Sequence, residues 1–217
     1  MLNQRMQKIS LKVNAYHEAG HAVAAHVLGL IIALLDIKED DKYAGNFRVV
    51  LPWGSTIPPI WRYHSVREFV EKYDVMLMAG YPASLMVEGT TQEQIQETAQ
   101  SDRNMLTQDS MDAFPHPYED PWVEEMDKAH EAGTLNESTS ETLQNLDSCK
   151  RRLADAYYAW VRLRAEALVH YPPHRYAIEV LAAKLLETRT LTSQEAHAII
   201  AAALNDFSAS ASYKLIL

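Results

Sequence analysis

The feature that most constrains this chain is the pattern His-Glu-x-x-His, formed by His17, Glu18 and His21. Residues four apart lie on one face of a helix, so the imidazoles of His17 and His21 can bind a single ion. Zinc would lie about 2.0–2.1 Å from each nitrogen. Glu18 is rotated about 100° from His17, so its carboxylate can flank the ion and act as a general base. The pattern therefore predicts a zinc site: the ion lowers the pKa of a bound water molecule, and this water attacks a carbonyl group.

A chance occurrence is the alternative, because the 217 residues include nine histidines. The motif, however, runs into an apolar stretch from Ala22 to Leu35 that reads as a buried helix. Charged groups in such a helix need a partner. Two histidines and a glutamate there favour a metal site over an accident.

The composition, 47% hydrophobic and 23% charged, predicts one soluble globular domain over residues 1–217. The net charge of −9 argues against nucleic acid as a partner, and residues 107–148 hold eleven Asp or Glu against one Lys. The single cysteine, Cys149, excludes an internal disulfide and suits a reducing compartment. The longest apolar stretch has fourteen residues, too few to cross a bilayer. We therefore expect a cytoplasmic protein without a membrane span.

The hydrophobic periodicity predicts a mainly helical chain. After a short lead-in, six helices are indicated, at residues 14–29, 66–88, 91–108, 138–170, 175–187 and 193–204. Asn14 is a good N-cap for the first helix, and Thr192 with Glu195 forms a capping box before the last. Residues 205–217 are expected to be a loosely held tail.

Two short strands are predicted, at Ile31–Ile37 and Phe47–Leu51, after a turn at 43–46. The second strand either binds an extended substrate by strand addition or is an ordinary edge strand. Residues 52–64 contain three prolines and are expected to be loop. Residues 109–137 are expected to be an acidic loop with one short helix around 122–131.

A catalytic zinc needs a third protein ligand and an open position for water. A third histidine six residues after His21 is excluded, because Val27 stands there. His26 lies roughly 140° around the helix from His21, which makes it a poor ligand, and we interpret it as a core histidine or one that supports the ligands. The predicted third helix offers candidate carboxylates, each of which could instead belong to a solvated acidic face: Glu93, Glu97 and Asp102.

Several segments resemble, in the same order, the peptidase domain of the FtsH-type, ATP-dependent membrane zinc proteases. The similarity begins with Ala-Tyr-His-Glu-Ala-Gly-His-Ala at residues 15–22. It continues at 45–52 with a strand that ends in Leu-Pro and at 78–89 with a segment of the second helix. It closes at 182–191 with a helix end that contains Leu-Leu-Glu and Thr-Leu. Ser101-Asp102 stands where the family has Asn-Asp, whose aspartate binds zinc. The resemblance therefore implies that Asp102 is the third ligand.

The resemblance implies a mainly α, zincin-like metallopeptidase domain with a small β element. Its parts would be a zinc-site region at 14–108, an acidic insertion at 109–137 and a helical C-terminal part at 138–204. The implied activity is that of a zinc metalloendopeptidase acting on unfolded or short polypeptides, with Glu18 as base.

This chain departs from the family in having Tyr-Pro-Ala-Ser-Leu at 81–85 instead of Arg-Ala-Ala-Glu-Glu. It also shows no ATPase domain and no membrane anchor, so we expect ATP-independent hydrolysis. A separate ATPase or partner protein and a homo-oligomer are both compatible with this interpretation. The alternative function is a zinc-bound, catalytically idle module that binds partner proteins.

Overall fold

The computed structural model describes residues 2–37, 46–50, 64–93, 95, 96, 99, 102 and 137–214. They form a small sheet and five helices with defined bounds, and residues 92, 93, 95, 96, 99 and 102 are helical as well. The helices are α1 (Leu2–Leu28), α2 (His64–Ser84), α3 (Glu137–His170), α4 (Pro172–Thr188) and α5 (Ser193–Lys214). The strands are β1 (Ile32–Asp36), β2 (Asn46–Val49) and β3 (Thr190–Leu191). This mainly helical architecture with a small sheet confirms the predicted fold at that level. The predicted loop at 109–137 lies outside the described residues except for Glu137, which opens α3. Most of the turn at 43–46, nearly all of the loop at 52–64 and more than half of the predicted helix at 91–108 also lie outside them.

The first helix is longer than predicted, because it begins at Leu2 rather than at Asn14. Residues 2–13 contain no proline or glycine and are rich in Leu, Gln, Met and Lys, which favour helix. Asn14 is buried inside the helix, so its prediction as an N-cap is wrong.

The end of α1 agrees with the prediction. Gly29 has φ 75°, and the amides of Gly29 and Leu30 bond back to the carbonyls of His26 and Ala25. This is the Schellman arrangement that terminates a helix at a glycine.

The second helix carries a proline near its end. Pro82 lies within α2 and has no N–H to donate to the preceding turn. Beyond Ser84 the bonds tighten, since the amide of Val87 bonds to the carbonyl of Ser84 three residues back. The regular helix therefore ends four residues before the predicted Glu88.

The last helices also differ from the prediction at their ends. Pro172 opens α4 at its first position, where a missing N–H costs nothing, so this helix begins three residues earlier than expected. Helix α5 continues to Lys214, so the predicted helix end at residue 204 is wrong and the expected tail is helical as far as Lys214. Its C-terminal half contains no glycine or proline, and the Phe207 ring lies 6.0 Å from that of Tyr176 on α4.

The capping box is confirmed: the amide of Glu195 bonds to Thr192 Oγ1, and the amide of Thr192 bonds to Glu195 Oε2.

The sheet is antiparallel, with the strand order β2-β1-β3. The central strand buries Ile32 and Leu35 completely, and Leu35 pairs with Phe47 on one side and Leu191 on the other. Helix α1 packs on α2, on α4 and on β1 and β2. The histidine motif therefore lies between α2 and the sheet.

Candidate metal centre

Helix α1 and helix α2 approach each other closely because each contributes a glycine to their contact. A methyl group on Gly20 of α1 would lie 2.6 Å from Ala83 Cβ and 2.7 Å from the Ala79 carbonyl oxygen. A methyl group on Gly80 of α2 would lie 2.5 Å and 2.6 Å from the Cε1 atoms of His17 and His21. Both rings therefore pack directly on the backbone of α2, and both residues are only 3% exposed.

A third side chain, that of Asp102, completes a compact group. Asp102 Oδ2 lies 2.9 Å from His17 Nε2 and 3.2 Å from His21 Nε2, and the two Nε2 atoms are 3.0 Å apart. Asp102 is 7% exposed and lies on the same helical face as the buried Ile95 and Ala99. Buried His17, His21 and Asp102 thus lie close enough together to hold a metal ion. Of the other two candidates for the third ligand, Glu93 is exposed, and Glu97 lies outside the described residues.

The outer nitrogens of the two imidazoles have defined partners, and these partners fix the tautomers. His21 Nδ1 lies 2.8 Å from the carbonyl oxygen of Met76, so it must carry the proton and donate it. His17 Nδ1 lies 3.3 Å from Ser84 Oγ, which itself donates to the carbonyl oxygen of Gly80 and therefore accepts from His17. In the neutral form, both Nε2 atoms then present lone pairs toward Asp102.

Three electron-rich atoms facing one another at about 3 Å repel unless a cation lies among them. Asp102 Oδ2 is buried and faces both Nε2 atoms, so it can pair with a proton on either ring or with a cation that lies among the three atoms. Tetrahedral zinc with ligands at 2.0–2.1 Å separates its donor atoms by about 3.3 Å. The observed separations of 2.9–3.2 Å are slightly shorter and need only small adjustments. The donor set and its tautomers therefore fit a divalent cation.

The electrostatics of the group lead to the same conclusion. Burial opposes a positive charge on His21, but the Asp102 carboxylate and then Glu18 outweigh it and raise the pKa of His21 to about 9. Burial likewise opposes the negative charge of Asp102, yet the two imidazoles hold the pKa of Asp102 well below its usual range. The site therefore favours one positive charge beside a fixed negative one, and either a proton or a metal can supply it.

Glu18 is 5% exposed, and its Oε2 atom is buried without a hydrogen-bond partner in the described part of the chain. Burial is the main reason why the pKa of Glu18 is raised. The two histidines oppose this rise, whereas Asp102 and Asp36 add to it. A carboxylate of this kind is a stronger base than an exposed glutamate.

Strand β2 borders the site. The Phe47 ring lies 5.5 Å from that of His21, with the ring planes tilted by 31°. Strand β2 pairs only with β1 among the described strands, so its other edge is not paired by them. The structure thus places an edge strand next to the histidines.

His26 is neither in the core nor beside the ligands, so its interpretation from the sequence is wrong. It is half-buried, and its Nδ1 lies 2.8 Å from that of His197 on α5. Ser84, Gly80 and the Met76 carbonyl were missed by sequence reasoning. Only Gly80 carried a signal, as a glycine inside a helix that could have marked a close approach.

Comparison of the chain with protein-family models and with curated proteins finds no match. No helix in the described ranges has both the length and the apolar character needed to cross a bilayer.

Proposed function

We propose that this protein is a zinc metalloendopeptidase that hydrolyses peptide bonds in unfolded or short polypeptides. One observation carries the proposal: three buried ligand atoms lie within 3.2 Å of one another, and a buried glutamate follows the first of them on the same helix. A purely structural zinc site closes all four positions with protein ligands and has no use for such a glutamate. The resemblance to the FtsH-type peptidases supports the same activity and a zincin-like fold.

In this mechanism His17, His21 and Asp102 hold the ion, with Ser84 and the Met76 carbonyl orienting the imidazoles. When bound, zinc supplies Lewis acidity, polarising the scissile carbonyl and lowering the pKa of water to about 7. The Glu18 carboxylate accepts a proton from the attacking water and delivers it to the leaving amine. Water thus adds across the peptide bond, and Glu18 ends the cycle ionised, as it began.

The edge of β2 is suited to hold the substrate. An extended peptide can pair with this strand through backbone hydrogen bonds, which are largely independent of sequence. The Phe47 ring contacts the His21 ring, so a peptide paired with β2 would lie beside the residues that would hold the ion. Because only an extended chain can pair in this way, the substrate must be unfolded or short.

The alternative is a zinc-bound module that binds partner proteins without hydrolysing them. The altered segment at 81–85 is the observation in its favour, because the family's Arg-Ala-Ala-Glu-Glu pattern is missing there. Ser84 of this segment nevertheless contacts His17 and supports the site. A buried Glu18 whose Oε2 has no hydrogen-bond partner among the described residues is better explained by catalysis than by binding.

The test combines zinc analysis with cleavage of an unfolded, fluorescently labelled casein. Wild-type protein should hold one zinc per chain and cleave without ATP, and a chelator should abolish cleavage. Glu18→Gln should keep zinc and lose about 10²- to 10⁴-fold in rate. Glu93→Gln is the matched control, since it removes an exposed carboxylate and should change neither property. Full zinc with no cleavage by the wild-type protein would favour the idle module, and undiminished cleavage by Glu18→Gln would refute the assigned base.

A further inference from the structure

A second pair of histidines joins two helices that are far apart in the sequence. His26 lies in the last turn of α1 and His197 lies five residues into α5. Their Nδ1 atoms are 2.8 Å apart, and their ring centroids are 5.1 Å apart. His26 is about 7.5 Å along α1 from His21 and roughly 140° around it. The pair is therefore separate from the metal centre described above.

Two neutral imidazoles that face each other through Nδ1 have two possible arrangements. Either one Nδ1 keeps its proton and donates it to the other, or both protons reside on Nε2 and both Nδ1 lone pairs point to one position. In the second arrangement a cation replaces the shared proton. Imidazole nitrogens bind copper, nickel and zinc well.

The separation of the nitrogens indicates which metal fits. Two ligands at about 2.0 Å and 90° to each other, as in square-planar coordination, are about 2.8 Å apart. Tetrahedral ligands at the same distance are about 3.3 Å apart. The observed 2.8 Å matches the planar geometry of copper(II) or nickel(II), and it equally matches the hydrogen bond of the metal-free arrangement in which one Nδ1 keeps its proton.

The surroundings also suit a cation. Both side chains are half-buried, so one side of the pair is open to solvent, which can fill the remaining coordination positions. His26 lies at the C-terminus of α1, where the helix dipole favours positive charge, whereas His197 lies beyond the first turn of α5, where the opposite effect is weak. Burial and then the charge of His197 lower the pKa of His26, so its lone pair is available at neutral pH.

We propose that His26 and His197 form a second metal site, which binds copper(II) or nickel(II) through their Nδ1 atoms and clamps the end of α1 to α5. This inference is independent of the proposed peptidase activity. Loss of cleavage in Glu18→Gln would not affect this proposal. A first site that binds zinc without hydrolysing peptides would not affect it either.

The test is a titration of the zinc-loaded protein with copper(II) chloride in a non-coordinating buffer. It is followed by electron paramagnetic resonance, with zinc measured in the same samples to detect displacement from the first site. The wild-type protein should bind one copper without releasing zinc, and the spectrum should show an axial signal with coupling to two nitrogens. His26→Gln and His197→Gln should each weaken binding at least about a hundredfold. His170→Gln, which removes an exposed histidine at the end of α3, is the matched control and should bind like the wild type.

Thermal unfolding gives a second readout. Copper at 100 times its dissociation constant should raise the folding equilibrium constant of the wild-type protein about a hundredfold, and it should have little effect on either glutamine variant. If His26→Gln does not fold, His197→Gln alone carries the comparison. Equal copper affinity in the wild type and a glutamine variant would overturn the proposal. So would copper that binds only by releasing zinc.

Discussion

Gly80→Ala is the most informative perturbation of the candidate metal centre, because its methyl group would contact the two proposed histidine ligands without replacing them. The added methyl would lie 2.5 Å from His17 Cε1 and 2.7 Å from His17 Nδ1, with His21 Cε1 at 2.6 Å. Ordinary contacts of this type are about 3.5–4.0 Å. The rings must therefore retreat by about 1 Å, which is half the length of a metal–nitrogen bond.

Two effects on stability compete in this variant. Replacing glycine within a helix by alanine contributes about 0.5–1 kcal/mol of stability. Overpacking a well-filled interior costs about 1–3 kcal/mol, and here it also strains the hydrogen bond between His17 and Ser84. The net loss should be about 0–2.5 kcal/mol, so the protein should still fold. The larger effect should be on zinc affinity, which we expect to fall at least tenfold to a hundredfold.

The assay is a zinc titration against a competing chelator, with urea unfolding of the same preparation. Gly20→Ala is the matched control, because its methyl would meet Ala83 Cβ and the Ala79 carbonyl at similar distances, whereas the methyl of Gly80→Ala would meet the two imidazoles. It should lose comparable stability and much less zinc affinity. Wild-type zinc affinity in Gly80→Ala would refute the packing of the rings on α2. Equal losses in the two variants would show that helix separation, rather than ring displacement, is responsible.

Three further predictions concern the supports of the site and of the fold. Ser84→Ala removes the acceptor of the His17 Nδ1 proton and should lower zinc affinity about tenfold to a hundredfold in the same titration, with little change in helix content by circular dichroism. Because burial and then the adjoining imidazole lower the pKa of His26 below 6.5, the unfolded chain binds more protons than the folded chain below about pH 6.5. Stability should therefore fall as the pH drops through that value, and urea unfolding of His26→Gln should show a flatter dependence than the wild type. Thr192→Ala breaks the capping box with Glu195 and should lower the free energy of unfolding by about 1 kcal/mol, measured by thermal unfolding. A loss below about 0.3 kcal/mol would show that the capping box does not stabilise the protein.

The sequence was sufficient to predict the elements whose signals are local. The spacing of His17 and His21 depends only on helix geometry, and Gly29 ends α1 through its own backbone conformation. The start of α1 was predicted wrongly at Asn14, because a residue that is favoured as an N-cap also occurs inside a helix when tertiary packing supports it. The end of α5 was missed for a related reason, since no glycine or proline marks residue 205.

The supports of the site could not be predicted, because they depend on contacts between distant parts of the chain. Ser84 lies 67 residues from His17, and the carbonyl that fixes His21 belongs to Met76, 55 residues away. A backbone carbonyl leaves no trace in the residue type. The resemblance predicted Asp102 as the third ligand, whereas periodicity alone did not distinguish it from Glu93 and Glu97.

The position of Asp102 has a further consequence. The two histidines belong to α1, whereas the aspartate comes from a segment that follows α2, so a bound ion would join two distant stretches of backbone. The ion would then be a reversible cross-link in a chain whose single cysteine can form no internal disulfide. Removing the ion would restore chain entropy to the segment around residue 102, and it would also abolish the proposed peptide hydrolysis. Amide hydrogen exchange near residues 95–102 should therefore accelerate when the metal is stripped, which links the order of that segment to metal supply.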